Sequence, residues 1–374
     1  MKPLLFLCLY ICHSPVLTGQ DYNEFAAIDR RVLDIPAAET YSTASIARYI
    51  LSNFKTDREK LRAVYTWVIT NIRYDRDSML PINWSMEAEE KISATLRRRK
   101  GVCENYAALF TDIAIKSGFQ SFVVSGYSKQ WGAVNRAGHS WSAVRLQQEW
   151  FLCDPTWDVG HSGNTKYFLV SPAQFIESHI PFDPLWQLLE NPLTDHEFSQ
   201  GIFYQRKENR FFNFADSVNA FLQLDSLRQL EASTKRVRQA GLENERQKNW
   251  LAYNEMKIAI IYGEKDMNLY NLAVADLNKA NAIFNDFVQY RNKLFAPARS
   301  DAEITSLLDP ITGLLSSAWK KLDQMGQAKE NFQYDTGTLK NRLAFLKGRV
   351  QEQHDFLKRY LAVSVSERVK LFYK

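Results

Sequence analysis

The strand-forming character of this 374-residue chain is confined to one stretch, and this constrains the fold more than any other feature. The segments "QSFVVSGYS" (120–128), "HSWSAVRLQ" (139–147) and "EWFLCDPTW" (149–157) are rich in β-branched and aromatic residues and are separated by short turns. That is the pattern of antiparallel strands. "KYFLV" (166–170) reads as one more. Upstream, apolar residues recur at three and four instead. In "TASIARYILSNF" (43–54) they are Ile46, Tyr49, Ile50 and Phe54; further on they are Leu61, Val64, Trp67, Val68 and Ile72, each set lying along one helix face. Thr56 and Glu59 form a capping-box pattern ahead of the second set. Residues 22–35, ending at Pro36, and 87–99 also read as helical. After Gly101, the positions Cys103, Tyr106, Ala107, Phe110, Ile113 and Ala114 predict another helix, with Gly118 placed to end it. Helices leading into an antiparallel sheet make an α+β order.

From about Asn209 the strand signals vanish. Amphipathic stretches rich in Gln, Asn, Lys and Leu cover 214–240, 243–262, 266–294, 301–324 and 336–361. No fixed period recurs, so a repeat array is not indicated. The expected organisation is a signal peptide over 1–19, an α+β core domain over 20–200 and an all-helical domain over 205–374. The signal assignment rests on a cationic start, an apolar run from Leu4 to Cys12 and a small residue at Gly19. That run is too short for a spanning helix of about 20 residues, and no later stretch is apolar enough. The mature protein is expected to be exported, periplasmic or extracellular, with no transmembrane segment.

Hydrophobic residues at 45% and charged residues at 24% describe a globular body. Losing Lys2 with the signal takes 47 basic residues to 46, against 42 acidic. The charge is dispersed, and clusters such as "RRRK" (97–100) are short. A nucleic-acid partner would need a basic stripe with interleaved aromatics, and none is expected. Of four cysteines, Cys8 and Cys12 lie in the signal, leaving Cys103 and Cys153. Two cysteines exclude a disulfide scaffold, although a single bridge stays possible in an oxidising compartment. The two cysteines and the scattered histidines show no metal-ligand spacing, so neither a metal nor a cofactor is expected.

"KGVCENYAALF" (100–110) puts Cys103 just after a glycine, in the first turn of a predicted helix. The positive end of the helix dipole there favours a thiolate, the attacking form of the sulfur. The Cys103 N–H is also a candidate oxyanion donor. The segment alone favours a small buried hydrophobe over a nucleophile. A nucleophile needs a base, and the base an orienter. His139 opens one predicted strand, and Asp154 follows the next. A turn at Gln147–Gln148 pairs residue 139 with about 156, making Asp154 a near-diagonal neighbour of His139. Adjacent strand residues face opposite ways, so Cys153 should point away from a site that contains Asp154.

"KGVCENYAALF", "GHSWSAVRL", "EWFLCDPTWD" and the upstream "VYTWVITNIRYD" resemble, in order and in kind of spacing, the transglutaminase-like cysteine superfamily. The resemblance spans roughly 45–190. "SPAQFIESHIPFDPLWQLL" (171–189) resembles the segment that closes the domain in secreted bacterial members. It implies a papain-like/transglutaminase-like core and a catalytic triad of Cys103, His139 and Asp154. Many members have Asn after "HSW"; Ser142 stands there and is expected to loosen the histidine strand without touching the triad. No tryptophan is matched as a second oxyanion donor. Trp67 reads as core, while Trp84, Trp141 and Trp157 are candidates for lining a substrate. Asp158, His161 and His179 read as loop or surface residues.

The expected function is acyl transfer through a thioacyl intermediate on a peptide or protein substrate, as a protease, an amidase or a transamidating acyltransferase. The alternative is a non-enzymatic module that binds a peptide or cell-envelope partner. In either case the helical tail would dock another protein, pack on the core or limit access to the cleft.

Overall fold

The computed structural model describes residues 24–77, 88–161, 164–203, 211–326 and 334–373, so the expected signal segment lies outside the described residues. The chain forms two compact units: Met1–Gln223 with Lys235–Lys248, and Leu224–Thr234 with Asn249–Lys374.

In the first unit, α1 (Ala26–Leu33), α2 (Thr43–Asn53), α3 (Asp57–Asn71), α4 (Ala88–Arg98) and α5 (Cys103–Lys116) precede the main sheet. The expected capping box starts α3: Thr56 Oγ1 accepts the Glu59 N–H at 3.2 Å, and Glu59 Oε2 accepts the Thr56 N–H at 3.0 Å. Two short strands, β1 (Arg73–Tyr74) and β2 (Lys100–Gly101), pair in parallel and lead into α5. Gly118, at φ +91, ends α5 in the left-handed conformation that glycine adopts without steric cost. The helices and one side of the sheet share a core that includes Ile46, Leu61, Trp67, Tyr106, Phe110, Val144 and Cys153.

The sheet contains β3 (Ser121–Gln130), β4 (Ala133–Val134), β5 (His139–Leu146), β6 (Glu149–Cys153) and β7 (His179–Pro181), all antiparallel. The β5–β6 hairpin has the expected register, from Leu146↔Glu149 to Ser142↔Cys153, and Gln147 sits in its turn at φ +57. β3 is paired on two sides at Gly126, to His139 of β5 and to Pro181 of β7. The segment 166–170 is not the fifth long strand its composition suggests; it makes a single bridge, Leu152↔Val170. Before β7 comes the short helix α6 (Pro172–Phe175), and after it a 3₁₀ turn, Pro184–Gln187, and α7 (Asp195–Gln200).

A second core lies among Val124, Trp141, Trp150, Phe175, Leu185 and Trp186. Val218 and Phe221 of α8 (Phe214–Leu222) complete it, so part of the amphipathic tail belongs to this unit. The segment 235–248 joins it too. Arg236 of α9 (Ser226–Ala240) bridges Asp183 with two bonds, at 2.9 and 2.7 Å, and the Arg246 guanidinium lies 4.3 Å from the centre of the Tyr127 ring.

Among the described residues the second unit is all helical. Its main elements are α10 (Glu245–Asn292), α11 (Asp301–Ser306), α12 (Asp309–Asp323) and α13 (Thr336–Leu361). Ala273, Leu277, Ala280, Phe284 and Phe287 meet Ile311, Leu315, Ala318 and Leu322 and also Leu339, Leu343, Leu346 and Val350, each set at helical spacing. The stretches 243–262 and 266–294 are one helix of 48 residues, roughly 70 Å at 1.5 Å per residue. Gly263 does not break it. The residue is buried, and its carbonyl accepts the Tyr334 hydroxyl at 3.2 Å. The stretch 301–324 is two helices instead of one, because Pro310 supplies the start of α12.

Candidate active site

Cys103 is the first residue of α5 and is partly exposed. Val102 before it is extended, and its N–H donates to Asn105 Oδ1 at 2.9 Å, which holds the helix start. Gly101 is needed for close approach: a Cβ there would come within 2.6 Å of Asn105 Cβ. The basic run beside it serves the fold. Arg98 and Lys100 pair with buried Asp75 at 2.9 and 3.1 Å, and Arg99 lies over the Trp67 ring at 5.0 Å.

The Cys103 thiol faces His139, the first residue of β5, closely enough to favour the charged imidazole. His139 Nε2 lies 2.7 Å from Asp154 Oδ2, which leaves Nδ1 for the thiol. Asp154 follows β6 and is fully buried. Its Oδ1 accepts the N–H groups of Thr156 at 2.9 Å and Trp157 at 3.4 Å. The three residues predicted as a triad are therefore neighbours, with His139 between the thiol and the carboxylate. Burial opposes charge on His139, but Asp154 and Cys103 lift it to about 10. Burial likewise opposes ionisation of Asp154, and the His139 charge and the hydrogen bonds of two histidines reverse this, holding it well below the usual carboxylate range.

The second histidine is His179, whose Nε2 lies 3.2 Å from the same Asp154 Oδ2. Reading it as a loop or surface residue is wrong: it begins β7 and is 1% exposed. Asp158 is also buried, not a surface residue. It accepts the Tyr65 hydroxyl at 2.6 Å and the N–H groups of Lys166 and Tyr167 at 3.0 and 2.8 Å, tying the turn after Asp154 to α3. His161 is exposed, as expected. The signal for His179 was legible in part: "HIPF" places it next to an apolar run with a proline, the composition of an edge strand.

Trp141 is fully buried among Val124, Phe175 and His179, so it supports the histidines from behind instead of meeting a substrate. Trp157 is partly exposed, and its ring lies 5.8 Å from His139. Trp84 lies outside the described residues. Trp67 is core. Ser142 does not loosen its strand: its Oγ donates to the Ala107 carbonyl at 3.1 Å and accepts from Thr111 at 3.0 Å, pinning β5 to α5. Cys103 and Cys153 are both free, and Cys153 points into the helical core, where burial pushes its thiol up to about 12.

Ligand atoms of His139, Asp154 and His179 lie within 4.8 Å of one another, a spacing that could enclose a metal ion. Spacing along the chain hides this group, because only the sheet brings it together. Its atoms are already joined by hydrogen bonds, which a metal would displace.

Residues 44–155, from α2 to the turn after β6, match the transglutaminase-like superfamily. The chain carries a domain of this superfamily. The transglutaminase-like domain lies wholly within the first unit. The kyphoscoliosis peptidase of Homo sapiens is 31% identical over 203 residues, 48% of this chain and 29% of that protein. The Mus musculus kyphoscoliosis peptidase is 31% identical over 183 residues, 44% of this chain and 26% of that protein. Hillarin of Drosophila melanogaster is 25% identical over 228 residues, 52% of this chain and 27% of that protein. The chain thus spans less than a third of the length of these curated relatives.

Proposed function

We propose that the protein is an exported cysteine acyl-transfer enzyme acting on peptide amides, with Cys103, His139 and Asp154 as its catalytic residues. The observation that carries this reading is His139 held at 2.7 Å by the buried Asp154 carboxylate, with the Cys103 thiol beside the same ring. In the resting site His139 already holds the thiol proton as an imidazolium, and the sulfur attacks the carbonyl carbon as the thiolate. The tetrahedral oxyanion is placed to accept the Cys103 N–H, one of the helix-start donors without an intrahelical acceptor. His139 then protonates the leaving amine, and a thioacyl-enzyme forms. Water attacks in turn and gives its proton to His139; release of the acid restores the thiolate. An amine in place of water would give transamidation. Hydrolysis is the simpler outcome, since water needs no dedicated acceptor site. Asp154 holds the imidazole in orientation throughout and balances its charge. The peptidase name of the mammalian relatives agrees with this class of chemistry. Export rests on the apolar N-terminal run alone.

The test is alkylation of the full chain with iodoacetamide from pH 4 to 10, with the modified cysteine located by peptide mapping and His139→Ala run in parallel. Cys103 is expected to be alkylated at least several-fold faster in wild type than in the variant around neutral pH, because only a thiol with a base beside it is activated. Equal profiles for both chains would remove the basis for an enzyme and leave the cleft as a binding site.

A further inference from the structure

We propose that His179 is a positioning residue of the same site, a fixed donor that locks the Asp154 carboxylate against His139. The inference rests on the proposed triad and extends it by one member from a different strand. Asp154 Oδ2 lies 2.7 Å from His139 Nε2 and 3.2 Å from His179 Nε2. A carboxylate only accepts, so His179 Nε2 carries the proton. Its Nδ1 must then accept, and the Ser178 hydroxyl stands 2.7 Å away to donate. The Ser178 hydroxyl, whose other acceptor is the Phe175 carbonyl at 3.4 Å, matches that tautomer.

The ring has little freedom to leave. Phe175 of α6 stacks on it at 4.2 Å and 24°, and Trp157 lies against it at 4.3 Å. Trp141 of β5 meets its edge at 5.2 Å. β7 holds the backbone, since Ser128↔His179 and Gly126↔Pro181 are registered pairs on β3. The titratable groups facing the ring are Asp154 after β6, His139 of β5 and Tyr167. β3 presents Ser128 as its strand partner, which carries no charge. Burial outweighs the pull of Asp154 and keeps His179 down at about 4, so at neutral pH it donates without adding charge. Two histidines on one carboxylate therefore play different parts: His139 exchanges protons and His179 does not.

The experiment compares Cys103 alkylation across pH in full-length wild type, His179→Leu and His179→Gln, with His139→Ala as control. Gln retains an N–H donor near the Nε2 position, and Leu has none. His179→Leu is expected to slow Cys103 alkylation at pH 6.5 about tenfold, the factor one hydrogen bond to a charged group supplies. His179→Gln is expected to restore most of the rate. A folded Leu variant with the wild-type profile, or a folded Gln variant as slow as Leu, overturns the proposal. In wild type, nitrogen-15 histidine spectra should show His179 as the Nε2–H tautomer from pH 5 to 9. A cationic or Nδ1–H ring there also overturns it, and this reading stands even if a variant does not fold. Failure of the triad itself appears separately, as a His139→Ala chain that alkylates like wild type.

Discussion

At the scale of single residues, the site is a set of buried polar groups each held by a partner from another part of the chain. Asp154 shows this best: both its oxygens are in use, by two imidazoles and two backbone N–H groups. An unsatisfied buried carboxylate would be far more costly than the net worth of any one of these bonds. Ser142 is the corresponding link between α5, which begins at Cys103, and the histidine strand, through Ala107 and Thr111. Replacing Ser142 with Ala should destabilise the protein by about 1–2 kcal/mol, read as a lower urea midpoint at unchanged slope. Cys103 alkylation should change little, because Ser142 does not contact the line of the triad. Cys103, His139 and Asp154 were candidates by residue type and strand register, and the superfamily resemblance picked them out as a set. Ser142 and His179 were misread, because burial and partners are properties of the folded chain and both residues are common at surfaces.

At the scale of elements, β3 is the organising strand, since it pairs with both β5 and β7 at Gly126. A Cβ at that position would lie 2.1 Å from the Ile180 carbonyl oxygen and 2.6 Å from the Trp141 ring. Glycine is required there for close approach of β7. Gly126→Ala should force β7 outward at a cost of about 2–3 kcal/mol, in the range of overpacked cores. It should also lower Cys103 alkylation as His179 withdraws from Asp154. A wild-type unfolding midpoint in this variant would show that β7 is not held so tightly. The helices and the hairpin register followed from periodicity and turn position. Residues 166–170 did not, since a strand-like composition only makes a strand where a partner edge is free. In the tail, 243–262 and 266–294 read as separate stretches, and they form one helix in which Gly263 is a packed position.

At the scale of the whole molecule, the buried imidazoles set how stability depends on pH. His179, held down at about 4, takes up a proton on unfolding between about pH 4 and the free value of about 6.5. Its contribution is present above about pH 6.5 and is lost as the pH falls through about 4. His139, lifted to about 10, is the reverse case: its contribution is full below about pH 6.5 and is lost as the pH rises through about 10. Asp154, held low, adds a further loss in acid. Unfolding free energy should therefore peak near pH 6.5 and decline on both sides, as measured by urea titrations between pH 4 and 10. Stability that climbs steadily from pH 6.5 to 10 would contradict a charged His139 paired with Asp154. Local period carried the α+β order and the helical character of the tail, and the motif resemblance carried the superfamily and the grouping of Cys103, His139 and Asp154. Only the tertiary structure decided that 211–223 and 235–248 belong with the first unit, that Trp141 is core, and that His179 reaches Asp154. Each of these is a contact between distant parts of the chain, and a contact of that kind exists only once the sheet and its flanking helices have closed around it.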